Sequence, residues 1–231
     1  MIRRLGSLLV VVGALAVVSA ASAAYPTPFA VQGSTALPSA DGSLQFVALK
    51  VGSDTRVAAM DTRSEIVMAR TVPGAFGIAR LTQNGLTGGL FHDGSAFVLQ
   101  SVGLQSTSRF MIVGAKDLVP RTTIALKGTF GFDALSPDAS KLYLIQHTST
   151  QDIQHYANPG GYPFIHALDT VRGVAHCIGV PWRGDQNAPW DMRLALRVEG
   201  TSLAVNQQDG TGFVAVDLSS WKISYLNGSG G

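Results

Sequence analysis

Residues 41–61 read DGSLQFVALKVGSDTRVAAMD: an acid–glycine turn at Asp41-Gly42, a strand-length apolar run, a second turn at Gly52-Ser53-Asp54, and a run closing on Asp61. The phrase returns three times. Asp93-Gly94 precedes AFVLQ and FMIVGAKD, Asp138-Ala139 precedes KLYLIQ and FIHALD, and Glu199-Gly200 precedes SLAVN and FVAVD. The closing aspartates Asp61, Asp117, Asp169 and Asp217 follow one another at similar intervals. A unit of roughly 40–50 residues, made of short strands and tight turns, marks a β-propeller or related blade array. The expected fold is therefore all-β, about four blades of short antiparallel strands, either closed or left as an incomplete, truncated ring.

Further details keep the phase. The units run over about residues 36–72, 74–127, 128–181 and 190–227, each with two to four strand-length runs; in the second these are GLTGGLF, SAFVLQSV, RFMIVGAKD and TTIALKG. Gly74-Ala75-Phe76-Gly77 and Gly128-Thr129-Phe130-Gly131 open the second and third units with the same G-x-F-G, which suits a bend where the chain crosses between blades. No segment holds a 3.6-residue apolar period, so very little helix is expected. The four closing aspartates recur once per unit, as structural residues do. They are expected to cap turns by accepting backbone hydrogen bonds.

The N-terminal stretch, residues 1–23, reads as a signal peptide. Arg3 and Arg4 form the basic start, Leu5 to Val18 are almost wholly apolar, and Ala21-Ser22-Ala23 supplies a cleavage pattern. The expected layout is a signal peptide at 1–23, an N-terminal segment at 24–35, the repeat domain at 36–227 and a Gly/Ser tail at 228–231. The expected address is secreted or extracytoplasmic. Residues 1–23 carry two arginines and no acid, so without them the formal charge falls from +2 to 0. A neutral surface gives little pull on nucleic acid or anionic lipid, so no nucleic-acid partner is expected. No membrane span is expected in the mature chain.

Candidate chemistry is sparse. Histidines 92, 147, 155, 166 and 176 lack zinc-site spacing, and no nucleophile elbow or nucleotide loop occurs. His166 and His176 fall on adjacent strands and are placed as two ordinary imidazoles that could face each other. Cys177, the single cysteine, sits in VAHCIGV and is expected to be buried among apolar neighbours. Asp133, Asp185 and Asp191 are read as loop acids that could gather at one mouth of a ring, though three scattered carboxylates do not make a calcium site. No cofactor and no catalytic residue is assigned. The most distinctive loop, Pro181-Trp182-Arg183-Gly184-Asp185 followed by Pro189-Trp190, has the composition of a binding hot spot. With Tyr162 of Asn158–Pro163 it gives the candidate ligand-binding residues Trp182, Arg183, Asp185, Trp190 and Tyr162.

Ser136-Pro137-Asp138 followed by Leu142-Tyr143-Leu144, and Ala167-Leu168-Asp169-Thr170, resemble exported bacterial β-propeller-like proteins of the YVTN and TolB-like kind. The stretches 143–146 and 163–181 are similar to a set of uncharacterised exported proteins with WD-like repeats. The resemblance implies a fold and export; it names no activity. Members of that set finish a blade after a stretch like 145–156 and begin another before the PFIHALDT-like strand, whereas here QHTSTQDIQHY runs straight into ANPGGYPFIHALDT. The internal spacing agrees: Asp138 and Asp169 stand further apart than Asp41 and Asp61, Asp93 and Asp117, or Glu199 and Asp217. The third unit thus reads as a hybrid that has lost about one blade. The expected function is an exported, non-catalytic binding or scaffold module for an unknown envelope protein or glycan. A hydrolase or lactonase with a metal in the central channel is the alternative. An open array would expose sheet edges and invite self-association.

Overall fold

The computed structural model describes residues 29–81, 86–103, 106–147, 164–179, 194–207 and 212–226. Residues 1–23, read above as a signal peptide, residues 228–231 and the candidates Tyr162, Trp182, Arg183, Asp185 and Trp190 lie outside the described residues. The elements are β1 (Ala30–Val31), β2 (Leu37–Pro38), β3 (Gln45–Val51), β4 (Asp54–Met60), β5 (Ile66–Val72), β6 (Phe76–Ala79), β7 (Ala96–Ser101), β8 (Thr107–Gly114) and β9 (Pro120–Lys127). They continue with β10 (Thr129–Leu135), β11 (Lys141–His147), β12 (Phe164–Asp169), β13 (Ala175–Gly179), β14 (Leu194–Glu199), β15 (Ser202–Gln207), β16 (Gly212–Asp217) and β17 (Ile223–Tyr225). No helix occurs among them.

The strands form four antiparallel meanders, β2-β3-β4-β5, β6-β7-β8-β9, β10-β11-β12-β13 and β14-β15-β16-β17, with β1 added beside β6. These are four propeller-like blades. Each strand pairs with the next in the chain, so every blade closes locally by hairpins. One expected strand is absent. GLTGGLF contributes only the isolated bridges Arg80↔Thr87 and Leu90↔Phe97, because Gly88 and Gly89 interrupt the run and Gly89 sits at φ 96°. The first strand of the second blade's meander is instead Phe76–Ala79, with β1 beyond it at the edge of the sheet. Its Gly77 is required by packing: a Cβ there would lie 2.7 Å from the Val31 carbonyl oxygen of β1.

Side-chain alternation then stacks the blades. Phe46, Val57 and Ala59 of the first blade meet Phe76, Ile78, Phe97, Leu99 and Val113 of the second, and Phe46 and Phe97 stack at 4.5 Å. The other face of the second blade, with Val98, Phe110 and Ile124, meets Phe130, Phe132, Leu142 and Leu144 of the third. Tyr143, Ile145 and Ile165 on the far face of the third meet Leu196, Leu203, Val205 and Val214 of the fourth. The middle blades are covered on both faces, which is why β7 is buried at every position while outer strand β5 is exposed at most of its positions. Four blades share three hydrophobic cores, and the ring is unclosed.

Candidate functional site

Two rims of the array differ in construction. One rim holds the turns inside each blade, from first to second strand and from third to fourth. Asp41 accepts from Ser39 Oγ at 2.7 Å and from Ser43 N at 3.0 Å, and Asp138 repeats the motif with Ser136 Oγ at 2.6 Å and Ser140 N at 3.1 Å. These serine bonds hold both carboxyls down at about 2. Asp61 accepts from the amides of Arg63 and Glu65, Asp117 from Val119, Asp169 from Val171 and Arg172, and Asp217 from Ser219 and Ser220. Backbone bonds then tie the two turns of a blade together: Ala115 N to Ser95 O, Thr170 N to Ser140 O and Leu218 N to Thr201 O, at 2.9, 3.0 and 2.9 Å. The carboxylates are occupied by amides and hydroxyls of their own turns, and Asp117 also by the Arg121 guanidinium at 2.7 Å, an arrangement that rigidifies a rim.

The opposite rim holds the crossings between blades and the links from second to third strand. At the first crossing the Phe76 amide donates to Thr55 Oγ1 at 2.8 Å. The Thr55 hydroxyl donates to Gly74 O at 2.8 Å, and Gln32 Nε2 donates to Phe76 O at 2.8 Å. The second crossing is built the same way. Phe130 N donates to Ser108 Oγ at 2.9 Å, Ser108 Oγ to Gly128 O at 3.0 Å, and Gln100 Nε2 to Phe130 O at 2.6 Å. Each G-x-F-G is thus clasped by a hydroxyl from the preceding blade plus a glutamine amide. Gly74 and Gly128 adopt φ of 91° and 125°, which explains the glycine.

On this rim the ladder aligns Thr129 with His147 and Phe164 with Gly179. Residues 148–163 join β11 to β12, and residues 180–193 join β13 to β14. Elsewhere the same kinds of link are far shorter: only Gly52 and Ser53 lie between β3 and β4, and only Gly128 between β9 and β10. The candidate residues Tyr162, Trp182, Arg183, Asp185 and Trp190 belong to the two long links.

Near that rim three polar side chains cross the third blade. His166 Nε2 lies 2.9 Å from Gln146 Oε1, and Cys177 Sγ lies 3.3 Å from His166 Nδ1. Phe130 meets the imidazole edge-on at 4.7 Å. Burial lowers the His166 pKa to about 4 and raises that of the Cys177 thiol, so both groups are neutral at pH 7. The two histidines do not face each other, and the expectation of a buried Cys177 is corrected. His166 stands opposite Cys177 in the ladder, with its side chain on that face, while His176 stands opposite Ala167 and stacks on Trp221 at 4.4 Å. Cys177 is exposed because β13 is the outermost strand of its blade and its side chain lies at the margin of the core.

Asp133 is also corrected. It is 2 % exposed within β10, at a bulge where Phe132 pairs with Leu144 and Ala134 with Tyr143, leaving Asp133 as the extra residue. Its Oδ2 accepts from Leu196 N at 2.6 Å, a bond from the third blade to the fourth. It is no rim acid. Asp185 and Asp191 lie outside the described residues, and among the described residues no group of three metal-ligating side chains forms.

No family model matches the chain, and no curated protein does. Solved structures do. TolB from Acinetobacter baumannii is 15% identical, with a TM-score of 0.42 over 83% of this chain and 45% of that one. An uncharacterised protein from Listeria monocytogenes EGD-e is 12% identical, with a TM-score of 0.49 over 85% and 55%. The acylaminoacyl peptidase of Pyrococcus horikoshii is 10% identical, with a TM-score of 0.47 over 79% and 30%. The chain spans about half the length of the first two and under a third of the last. At these identities the likeness concerns the course of the strands alone.

Proposed function

We propose that the protein is an exported, non-catalytic binding or scaffold module of the cell envelope, whose mature chain follows a signal peptide at residues 1–23. It holds an envelope protein or glycan through the loops of one rim. The observation that supports this reading is the asymmetry of the rims. One is stitched by aspartate and serine turns, while the other concentrates its two long links, 148–163 and 180–193, around the third blade. Links of that length, one between paired strands and one between blades, are uncommon unless they carry a function, and rigid scaffolds place binding residues on such loops. Trp182, Arg183 and Trp190 are the contact residues of this reading, with Tyr162 and Asp185 beside them.

The test is capture from a detergent extract of the envelope with immobilised residues 24–231. The expected result is a bound component that is lost when Trp182, Arg183 and Trp190 are all changed to alanine, with the far-ultraviolet spectrum unchanged. Equal capture by the triple variant overturns the reading, as does a stoichiometric metal with esterase or lactonase turnover.

A further inference from the structure

Gln146, His166 and Cys177 form one row across β11, β12 and β13, on the face of the third blade that meets the second. His166 and Cys177 are direct partners in the ladder. Asp169 N donates to Val174 O at 2.9 Å, so counting back along the strands makes His166 and Cys177 a pair whose own backbones exchange no hydrogen bonds. Such pairs bring their side chains closest, and here Cys177 Sγ lies 3.3 Å from His166 Nδ1. Gln146 is the diagonal neighbour, because His166 pairs with Leu144 two positions away.

The two contacts settle where the imidazole proton sits. Gln146 Oε1 only accepts, so at 2.9 Å it takes the hydrogen of Nε2. Nδ1 is left with a lone pair, to which the Cys177 thiol donates. His166 is 7% exposed and Phe130 packs against it edge-on, while Cys177 opens to solvent on the outermost strand. Metal-binding histidines are oriented in this way: the far ring N–H is anchored by an oxygen and the other nitrogen is aimed at the ligand position. Burial keeps the imidazole neutral at pH 7, so its lone pair is available.

We propose that Cys177 Sγ and His166 Nδ1 together bind one thiophilic cation, Cu(I), with Gln146 as the residue that orients the imidazole. Bonds of about 2.3 Å to a thiolate sulfur and about 2.0 Å to an imidazole nitrogen, drawn to atoms 3.3 Å apart, meet at an angle of about 100°. The existing side-chain positions therefore accept the ion and leave its solvent side open to a further ligand. Binding forms the Sγ–Cu and Nδ1–Cu bonds and breaks the S–H bond, whose proton goes to water. Copper stays Cu(I) throughout. Zinc sites use three or four protein donors, whereas among the described residues no group of three forms. A soft cation content with a thiolate and one imidazole fits this donor set better. The site involves no turnover and does not depend on the loop-binding reading above.

The test is an oxygen-free titration of residues 24–231 with Cu(I) against the chromophoric chelator bathocuproine disulfonate. The parent is expected to take one Cu(I) per chain and, once loaded, to lose the reaction of Cys177 with iodoacetamide. Cys177→Ser should abolish uptake. His166→Gln and Gln146→Leu should each weaken it about tenfold or more, the second by releasing the ring that Gln146 anchors. Melting curves at pH 7 show that the variants fold, and if His166→Gln melts early, Gln146→Leu carries the same comparison. Uptake unchanged in the folded histidine or glutamine variant overturns the proposal, because a bare thiol would then account for it. So does a parent that takes up no Cu(I), or one from which excess Zn²⁺ displaces it, which would assign the site to a harder cation.

Discussion

Asp133 Oδ2 accepts a hydrogen bond from the Leu196 amide at 2.6 Å, across 63 residues of sequence. The bulge in β10 makes this reach available, because the extra residue is freed from its own ladder and its carboxylate is aimed at the neighbouring blade. Asp133→Ala leaves the Leu196 amide without this acceptor, at a cost of about 1–3 kcal/mol. Asp133→Asn keeps an acceptor oxygen and should cost less. Urea unfolding of the three proteins side by side checks the order.

The clasp at the first crossing gives a second expectation. Thr55→Val is nearly isosteric but leaves both the Phe76 amide and the Gly74 carbonyl without the hydroxyl that joins them. It should destabilise by about 1–3 kcal/mol, whereas Thr55→Ser should stay near the parent. Ser108→Ala should behave like Thr55→Val at the second crossing. Hydrogen exchange at the Phe76 and Phe130 amides should quicken in the corresponding variant only.

The turn acids set the acid limb of stability. Serine hydroxyls and amides hold Asp41 and Asp138 at about 2 in the folded chain, below the ordinary 3.8. Groups with depressed folded values contribute stability that is full above the unfolded value and lost as pH falls through the folded one. Melting temperature should therefore drop between about pH 4 and pH 2. The double change Asp41→Asn and Asp138→Asn should flatten that drop.

His166 acts in a higher window. Its folded value of about 4 lies below the ordinary 6.5 because the imidazole is buried, so the unfolded chain binds the proton first. Stability should fall as pH drops from 6.5 towards 4, by on the order of 2 kcal/mol after allowance for partial solvent access. His166→Gln should remove this slope while leaving the lower acid limb in place. Thermal melts at pH 7 and pH 4.5 measure it.

Cys177 is exposed, yet its thiol is raised by burial of its immediate surroundings. The thiolate is the reactive form, so alkylation at pH 7 should be slower than for a free cysteine, and full after unfolding. A rate equal to that of a small thiol would contradict this environment.

The blades could be read from the chain because their signals are local. An acid–glycine turn, an apolar run and a closing aspartate follow closely on one another, and the paired strands are neighbours in sequence. The two G-x-F-G bends carried the phase for the same reason. Thr55 and Ser108 carried no such signal. A lone hydroxyl becomes a clasp only when the next blade brings a phenylalanine amide to it. His166 and Cys177 needed the ladder register to meet, since the alternation alone allowed His176 as the partner. Asp133 misled because an acid in an apolar run suggests a loop, whereas a bulge buries it against a strand far along the chain.

Three cores among four blades give the chain the mechanics of a row and not of a hoop. Each inner blade leans on two neighbours and each end blade on one, so in a single copy the first and fourth are the natural places for opening to begin. Pulled by its ends, one copy should open the seam at Phe46 and Phe97 or the seam at Tyr143 and Leu203 first, each releasing a terminal blade, before the seam between the second and third blades gives way. A closed hoop has no such starting point, so joining the ends would convert a sequential failure into a single cooperative one.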